Sequence, residues 1–478
     1  MTFEWIGLAT LVAGALSLIR GRRFALTVCI VATLLGAAAA SVLTALGGAN
    51  LPPAYLLLGF LVLVAVRPAH WPYLLRSLRW PSPGLWLLLT TAYACLAALF
   101  MPRILAGTTY VFTIARTDAG PGLLLTPLAP VSGNLTQTVY FVGNLVCFAV
   151  FSAFSRDRAG KRWMADALIA AGCLNILFAV LDYATFFTGT AEALAFLRNA
   201  PYRMLDSAEV VGFKRLVGSF PEASAFAATT LALFAFVSTL WLNGYRARVT
   251  GPLAGLLGAA LVLSTSTTAY AGLVVYLGLV FAVSLVRLVS NRAAAPRIGF
   301  LLMGPILGTI LACAVLLNDA LTAAISDILQ QLIFSKGSSH SAMERGSWNS
   351  QALVNFFDSY GLGVGVGSAR ASNVVIAVLA NIGVLGALTY ATFLVTCLRA
   401  PRNETDPEMR VIREAAASSC LGLFIAGCLA GTTIDLGLLF FICAALAATP
   451  TEAADPRPNP APTLAPARPL PGPRPALA

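Results

Sequence analysis

The sequence predicts an all-α polytopic membrane protein with about 12 transmembrane helices, between 11 and 13, and extended external segments that contain short helices. Three observations carry this prediction. Hydrophobic residues make up 58% of the chain and charged residues only 11%, whereas an ordinary soluble domain is about 25% charged. Apolar stretches of about 15–25 residues recur along the chain, and about 20 helical residues cross a bilayer core. Because backbone groups in lipid must be satisfied within their own segment, the spans are expected to be helices.

Twelve apolar stretches define the expected spans. The last of them is either one long helix or two short helices broken near 431–435. Residues 1–448 are thus expected to form a single transmembrane domain, followed by a disordered tail, 449–478, that is rich in proline and alanine. The spans are 3–19, 24–46, 51–66, 84–100, 138–154, 163–187, 225–242, 251–266, 269–289, 298–317, 373–398 and 417–447.

The distribution of positive charge predicts the topology. Segments that follow odd-numbered spans hold 19 of the 31 Lys and Arg residues, those on the other side hold 9, and the tail holds 3. Positive residues favour the cytoplasmic side. The long segments 101–137, 188–224 and 318–372 are therefore expected to lie on the external side of the membrane. Because topology accounts for the net charge of +11, membrane lipids are expected partners and nucleic acid is not.

Metal and cofactor binding are not predicted. The two histidines, His70 and His340, fall on opposite sides of the membrane in this topology, so a zinc site lacks ligands. The nine cysteines all lie in or beside apolar spans and form no CxxC pair, which is typical of small packing residues.

The external segment 188–224 supplies the first candidate residues, beyond a short helix expected at 191–198. Arg215 offers a bidentate fork for phosphate, or it anchors the chain at the interface; Lys214 beside it is a weaker candidate for the same role. Glu222 precedes an apolar run, where a carboxylate favours the helix dipole; alternatively it is a general base or binds sugar hydroxyls. Tyr202, as a ring that stacks on a sugar, and Arg203 are further substrate-binding candidates.

The external segment 318–372 supplies the second group, after a surface helix expected at 321–333. Arg345 and Trp348 are three residues apart and would share one helix face, where a guanidinium holds phosphate while the ring stacks on a sugar. The alternative for Arg345 is an ion pair with Glu344 or Asp358. His340 is a candidate base, or a solvated loop residue.

Glycines at every second position, 361–367, follow this group. The pattern is not a dinucleotide fingerprint, since no strand–helix alternation surrounds it. Glycine permits a tight turn or the close approach of a ligand, so Gly363 and Gly365 are substrate-binding candidates, as is Asp358 before them. The alternative is a flexible turn into the next helix. Arg370, at the end of the run, is a candidate third phosphate contact.

Three motifs in order give a family resemblance. They are the turn Arg215-x-x-Gly218-x-Phe220-x-Glu222, the Ser/Thr junction 264–268, and Arg345-x-x-Trp348 followed by the stretch 357–365 and an apolar helix. In this order and with this external placement, the chain resembles the O-antigen ligase/O-antigen polymerase-like family of bacterial inner-membrane proteins from about residue 134 to 398.

The resemblance implies a metal-independent glycosyltransferase that uses undecaprenyl-diphosphate-linked oligosaccharide at the periplasmic face. Ligases of this family move the glycan to lipid A-core, and polymerases join repeat units. The resemblance assigns Arg215 and Arg345 to the diphosphate. A chain-length regulator or an export protein would be a further partner. Substitutions by alanine of Arg103 and Arg198, which are external but outside the motifs, are expected to be mild by comparison.

One departure from the family pattern separates the two activities. Ligases show a His-Asn pair shortly after the glycine-rich turn, whereas this chain reads Ala371-Ser372-Asn373. The sequence therefore favours a polymerase of exopolysaccharide or O-antigen. An O-antigen ligase remains an alternative, as does a transporter or flippase of lipid-linked glycans, which would show broken helices near the membrane midplane.

Overall fold

Apolar runs become helices along the whole chain in the computed structural model. It describes residues 2–43, 49–66, 70–117, 120–200, 204–205, 208–210, 213–291, 294–317 and 340–452. The α-helices in these ranges are α1 Trp5–Arg20, α2 Arg22–Ala32, α3 Pro53–Ala65, α4 Trp71–Ser77, α5 Gly84–Ile104, α6 Ser132–Phe154, α7 Arg158–Phe187, α8 Ala223–Leu242, α9 Ala247–Leu263, α10 Thr267–Val289, α11 Ala295–Leu316, α12 His340–Asp358, α13 Val374–Arg399, α14 Pro407–Ala430 and α15 Leu438–Ala448.

Seven helices in the described ranges are long and apolar enough to cross a membrane: α5, α6, α7, α8, α10, α14, and α13 with the 3-10 turn Ala400–Asn403 that continues it. Five shorter apolar helices accompany them, in α1, α3, α9, α11 and α15. The predicted class, an all-α polytopic membrane protein, is confirmed. The count of about 12 spans stays a prediction.

The second expected span, 24–46, is only partly helical. Helix α2 ends at Ala32, and the chain then turns towards the loop before α8. The Ala37 amide donates to the Ser219 carbonyl at 3.0 Å, and Gly36 lies so close to the Phe220 ring that a Cβ would be 2.5 Å from it. Tertiary hydrogen bonds and a glycine with low helix propensity thus end the helix inside an apolar run.

The stretch 417–447, left open in the sequence, is broken into α14 and α15. Between them, the Asp435 carboxylate accepts hydrogen bonds from the Asn144 side chain and from the Gly437 amide, both at 2.7 Å. Gly437 precedes α15 with φ of +82°. The break is therefore stabilised by a polar contact to α6.

Short strands occupy part of the external segments. An antiparallel hairpin pairs β4, Tyr110–Thr117, with β5, Gly120–Pro127; the sequence did not predict it. The short helix expected at 191–198 is a 3-10 helix, Ala191–Leu197. The surface helix expected at 321–333 lies outside the described residues. The other strands are β1 Thr2–Phe3, β2 Ser41–Leu43 and β3 Ala49–Leu51 in one sheet, and β6 Glu209–Val210 with β7 Phe213–Lys214.

Ion pairs link the helix ends that the sequence assigns to the cytoplasm. These segments thus lie at one end of the bundle, which we call the basic end. The pairs are Arg22–Asp157, Arg158–Asp406, Arg162–Glu408, Arg246–Asp166 and Arg287–Glu414.

Packing at the basic end extends past the expected start of the tail at 449. The Thr451 amide and hydroxyl donate to Glu404, and the Glu452 amide donates to the Arg156 carbonyl. Residues 449–452, which belong to the expected tail, are therefore packed against the helices. Residues 453–478 lie outside the described part of the chain, so the predicted disorder there is untested.

Candidate functional site

The Arg215 turn is held by a buried carboxylate. Asp182, near the end of α7 and 1% exposed, accepts hydrogen bonds from the amides of Val217 and Gly218 at 3.0 and 3.2 Å. A carboxylate that accepts backbone N–H groups fixes the path of the chain. The turn is thereby fixed where it leaves Arg215 and enters α8.

Two buried cations complete this cluster. Lys214 Nζ lies 2.9 Å from Asp182 Oδ1, and Arg198 Nη2 donates to the same oxygen at 2.5 Å and to the Gly218 carbonyl at 2.6 Å. All three side chains are at most 5% exposed. Lys214 therefore has a structural role beside Arg215, and its expected contact with substrate stays a prediction. Arg198 neutralises a buried carboxylate, a role that the sequence did not predict. The mild effect expected of its substitution on transfer stays a prediction.

Helix α12 is fixed against the β4–β5 hairpin. The Gln351 and Asn355 side chains donate to the Tyr110 carbonyl at 2.8 and 2.6 Å, and Asn355 also bonds the Thr109 hydroxyl at 3.0 Å. Arg345 and Trp348 lie on this helix, as their spacing predicted. The hairpin thus serves as the support on which the second motif is mounted.

Side-chain amides hold the loop that carries Arg370. Asn349 of α12 accepts from the Ser372 amide at 2.8 Å. Asn381 of α13 both accepts from and donates to the Ala369 backbone, at 3.3 and 2.9 Å. These contacts flank Arg370 on both sides and bring it to α12.

The alternating glycines are packing positions. Gly363 has φ of +82°, and a Cβ there would be 2.6 Å from the Gly383 nitrogen in α13. Gly365 has φ of +96°, and its Cβ would be 2.7 Å from the Ala97 carbonyl oxygen in α5. Both residues are buried against protein backbone, so they shape the loop and are not included in the proposed site.

Three arginines from separate elements converge. The Arg370 guanidinium lies over the Trp348 ring, with Cζ 4.8 Å from the ring centroid. The charge of Glu222 acts on both Arg215 and Arg370, and the charge of Arg345 acts on Arg215. The predicted residues Arg215, Glu222, Arg345, Trp348 and Arg370 thus form one partly exposed group, which we call the arginine cluster.

Electrostatics within the arginine cluster leave positive charge uncompensated. Burial lowers the pKa of Arg215; Glu222 raises this pKa and Arg345 lowers it. Burial likewise lowers the pKa of Arg370, against the carboxylates of Glu222 and Glu344. Arginine nevertheless stays charged in proteins, so this environment favours a bound anion.

The donors of the arginine cluster are also unsatisfied. The Nε atoms of Arg215 and Arg370 are buried and have no hydrogen-bond partner in the described part of the chain. Within the same ranges, Arg345 forms no salt bridge with Glu344 or Asp358, the alternative raised by the sequence. Buried donors without partners are costly, and a phosphate would satisfy them.

Glu222 is not a side-chain cap. It occupies the N-cap position of α8, but its carboxylate makes no capping hydrogen bond and instead accepts one from the Ser224 hydroxyl. Tyr270, at the start of α10, is an aromatic neighbour of Arg215. The carboxylate is thus left available beside the cations.

Four other predicted residues remain outside the arginine cluster or undescribed. Asp358 ends α12, 13 residues after Arg345, and is therefore about 20 Å away along the helix axis; this corrects its expected place in the site. His340 begins α12, but its side chain is not among those described, so its role as a base stays a prediction. Tyr202 and Arg203 lie outside the described residues.

Sequence reasoning missed the residues that hold the arginine cluster in place. Asp182 falls in an apolar run of the sequence, and Asn349, Asn381 and Tyr270 belong to no motif. An acid in a membrane segment is expensive without a partner, which was the one available signal.

No protein-family model matches this chain, and no curated protein matches it. Among the described residues, no group of three His, Cys, Asp or Glu side chains lies close enough together to hold a metal ion.

Proposed function

We propose that the protein is a membrane glycosyltransferase that transfers a glycan from undecaprenyl diphosphate to an acceptor sugar hydroxyl. The observation that supports this proposal is the convergence of Arg215, Arg345 and Arg370 beside Glu222. Three cations, of which Arg215 and Arg370 have unsatisfied buried donors, suit a diphosphate, whose charge grows as it leaves. The site would face the periplasm of a bacterial inner membrane.

The proposed step is a single displacement. The acceptor oxygen forms a bond to the anomeric carbon while the bond from that carbon to the diphosphate oxygen breaks, with inversion. The electron pair stays on the diphosphate, where the arginines stabilise it. The hydroxyl proton goes to Glu222, or to His340 as the alternative base. No metal is needed, because fixed guanidinium groups supply the positive charge.

Polymerisation of exopolysaccharide or O-antigen repeat units is the favoured activity. In place of the histidine expected of a ligase, the chain has Ala371-Ser372-Asn373. The Asn373 side chain caps α13 by accepting from the amides of Val375 and Ile376, and it donates to the Cys428 carbonyl at 2.9 Å. These contacts occupy the residue that would otherwise be available to an acceptor.

The test is incubation of the purified protein with an undecaprenyl-diphosphate oligosaccharide, with and without EDTA, followed by gel separation of the products. A ladder of longer glycans in both conditions supports a metal-independent polymerase. Transfer of glycan only when lipid A-core is added would support a ligase. Absence of transfer both with and without EDTA would refute the proposed glycosyltransferase activity.

One observation favours the rival class, a transporter of lipid-linked glycans. Helices α14 and α15 are separated by a break that contains Asp435, and transporters commonly build substrate sites at broken helices. Proteoliposomes that contain the protein and a fluorescent lipid-linked glycan separate the two classes. Movement of the probe between leaflets without glycan elongation would indicate a transporter.

A further inference from the structure

A second cluster of arginines surrounds a cavity at the basic end of the bundle. The cavity has a volume of about 710 Å³ and lies between α4, the end of α13 and the residues after α15. Helix α13, whose 26 residues include a kink at Gly383, separates it from the arginine cluster. Six arginines line it: Arg76, Arg79, Arg156, Arg399, Arg402 and Arg413.

Few carboxylates offset this charge. Arg413 is buried and paired with Glu404 at 2.8 Å, so it belongs to the wall. Glu452 is shared between Arg76 and Arg156, at 3.5 and 3.6 Å. In the described part of the chain, Arg79, Arg399 and Arg402 are exposed at the cavity and form no salt bridge.

The interior of the cavity also holds an unsatisfied donor. Arg156 stacks on the Tyr73 ring, with Cζ 3.4 Å from the centroid, which fixes its guanidinium plane. Its Nε is buried without a hydrogen-bond partner among the described residues. A fixed guanidinium with a free donor is suited to an oxyanion.

The wall of the cavity indicates a membrane interface. Trp80 lines the cavity and is 71% exposed. Trp71, the first residue of the nearby helix α4, is 51% exposed. Exposed tryptophans are enriched at the level of lipid headgroups. Basic pockets between transmembrane helices bind phosphate-bearing headgroups.

We infer that this cavity binds the phosphate of an anionic phospholipid headgroup, held by Arg79, Arg156 and Arg402. The inference rests on the cavity, its uncompensated arginines and its exposed tryptophans, and it does not depend on the proposed glycosyltransferase activity. The same chemistry would also accept a free phosphate ion, so the experiment must separate the two sources.

The experiment uses the purified full-length protein in detergent. Retention of phosphatidylglycerol and of phosphatidylcholine is measured by native mass spectrometry, and thermal stability is measured with inorganic phosphate or chloride at equal ionic strength. The test variant carries Arg79→Gln and Arg402→Gln. The control is Arg248→Gln, which removes an exposed arginine at the start of α9, outside the cavity. Unliganded unfolding midpoints check that both variants fold.

Wild type is expected to bind phosphatidylglycerol at least about tenfold more tightly than phosphatidylcholine, and the double variant to bind phosphatidylglycerol about 25-fold more weakly than wild type, since each interfacial arginine contributes about fivefold. Stabilisation by inorganic phosphate without a preference between the two lipids would overturn the lipid assignment and identify the cavity as a site for free phosphate ion. Equal binding of both lipids with no phosphate effect would overturn the inference. Equal losses in Arg248→Gln and the double variant would overturn it as well.

Discussion

The Arg370 guanidinium covers the buried face of Trp348, with Cζ 4.8 Å from the centroid of the indole ring. The ring belongs to α12 and the cation to the loop before α13, so this contact joins two motifs that are separated in sequence. Trp348 is only 8% exposed, so its ring is mostly covered by protein and supports the Arg370 guanidinium. The sugar-stacking role expected for Trp348 is therefore secondary to positioning a cation.

Replacement of Trp348 tests this positioning. A cation–π contact contributes about 0.5–2 kcal/mol, so Trp348→Leu should lower kcat/KM for glycan transfer by about 2–30-fold, with Trp348→Phe intermediate. Steady-state kinetics with varied donor measure the effect. Trp71→Leu, at the opposite end of the molecule, is the control and should retain wild-type kinetics. Identical kinetics for Phe and Leu at position 348 would show that ring electrons are irrelevant.

Arg215 and Arg345 carry the functional proposal. Loss of a transition-state charge contact costs about 3–4 kcal/mol, so Arg215→Ala and Arg345→Ala should each lower transfer about 100–1,000-fold. Lysine should restore only part of the rate, because it lacks the bidentate fork. Initial rates of glycan elongation measure the effect. Arg103→Ala is the control, since that side chain bonds the Leu99 carbonyl of its own helix. Wild-type rates in both variants would contradict the assignment of Arg215 and Arg345 to a diphosphate site.

Asp182 should be needed for stability. Asp182→Asn removes the carboxylate that the buried cations Lys214 and Arg198 share, and breaking a buried ion pair costs about 3–5 kcal/mol. The matched control is Asp166→Asn on the same helix, whose exposed pair with Arg246 contributes about 0–1 kcal/mol. Thermal unfolding in detergent compares the two. Similar unfolding midpoints for both variants would contradict the structural role of Asp182.

Glu404 should make stability depend on pH in the acid range. Burial alone raises its pKa, but hydrogen bonds from Thr451 and Arg413 outweigh burial and lower it from 4.5 to about 2. A lowered folded-state pKa contributes stability that is complete above about pH 4.5 and is lost as the pH falls towards 2. Glu404→Gln should unfold at lower temperature at pH 7 and show a flatter profile in this window. The exposed Glu408→Gln is the control; matching profiles for it and Glu404→Gln would count against the prediction.

Orientation is tested by labelling. Thr190, between α7 and the 3-10 helix, and Ser290, between α10 and α11, are both exposed and lie at opposite ends of the bundle. In spheroplasts, an impermeant maleimide should label Thr190→Cys directly and Ser290→Cys only after lysis, relative to the unsubstituted protein. The reverse pattern would place the arginine cluster in the cytoplasm.

Hydropathy predicted the helices because each membrane segment must satisfy its own backbone. It failed at 24–46, where apolar residues after Ala32 leave the helix to bond Ser219. That outcome depends on a partner about 180 residues away, which periodicity does not report. The hairpin β4–β5 was not predicted because its strands lie in a long segment between two spans, which hydropathy and charge assign only to one side of the membrane.

The predicted topology places Arg215, Arg345 and Arg370 in segments on the same side of the membrane, and the sequence therefore predicted that they belong to one site. It did not predict that Lys214, beside Arg215, would be paired with Asp182. Adjacent cations in sequence can point to different environments, and only the fold distinguishes them. Asp358 lies between the Arg345 motif and the glycine run in the sequence, yet the length of α12 separates it from the arginine cluster.

The contacts around the Arg215 turn also determine when its partners become available during translation. Within the described ranges, its hydrogen bonds to other segments reach Leu34, Ala37, Asp182, Arg198, Leu205 and Ala208, all of which precede α8. A ribosome therefore translates every one of these partners before it reaches α12. The half of the site that carries Arg345 and Arg370 is translated later and has supports of its own, in the β4–β5 hairpin and α13.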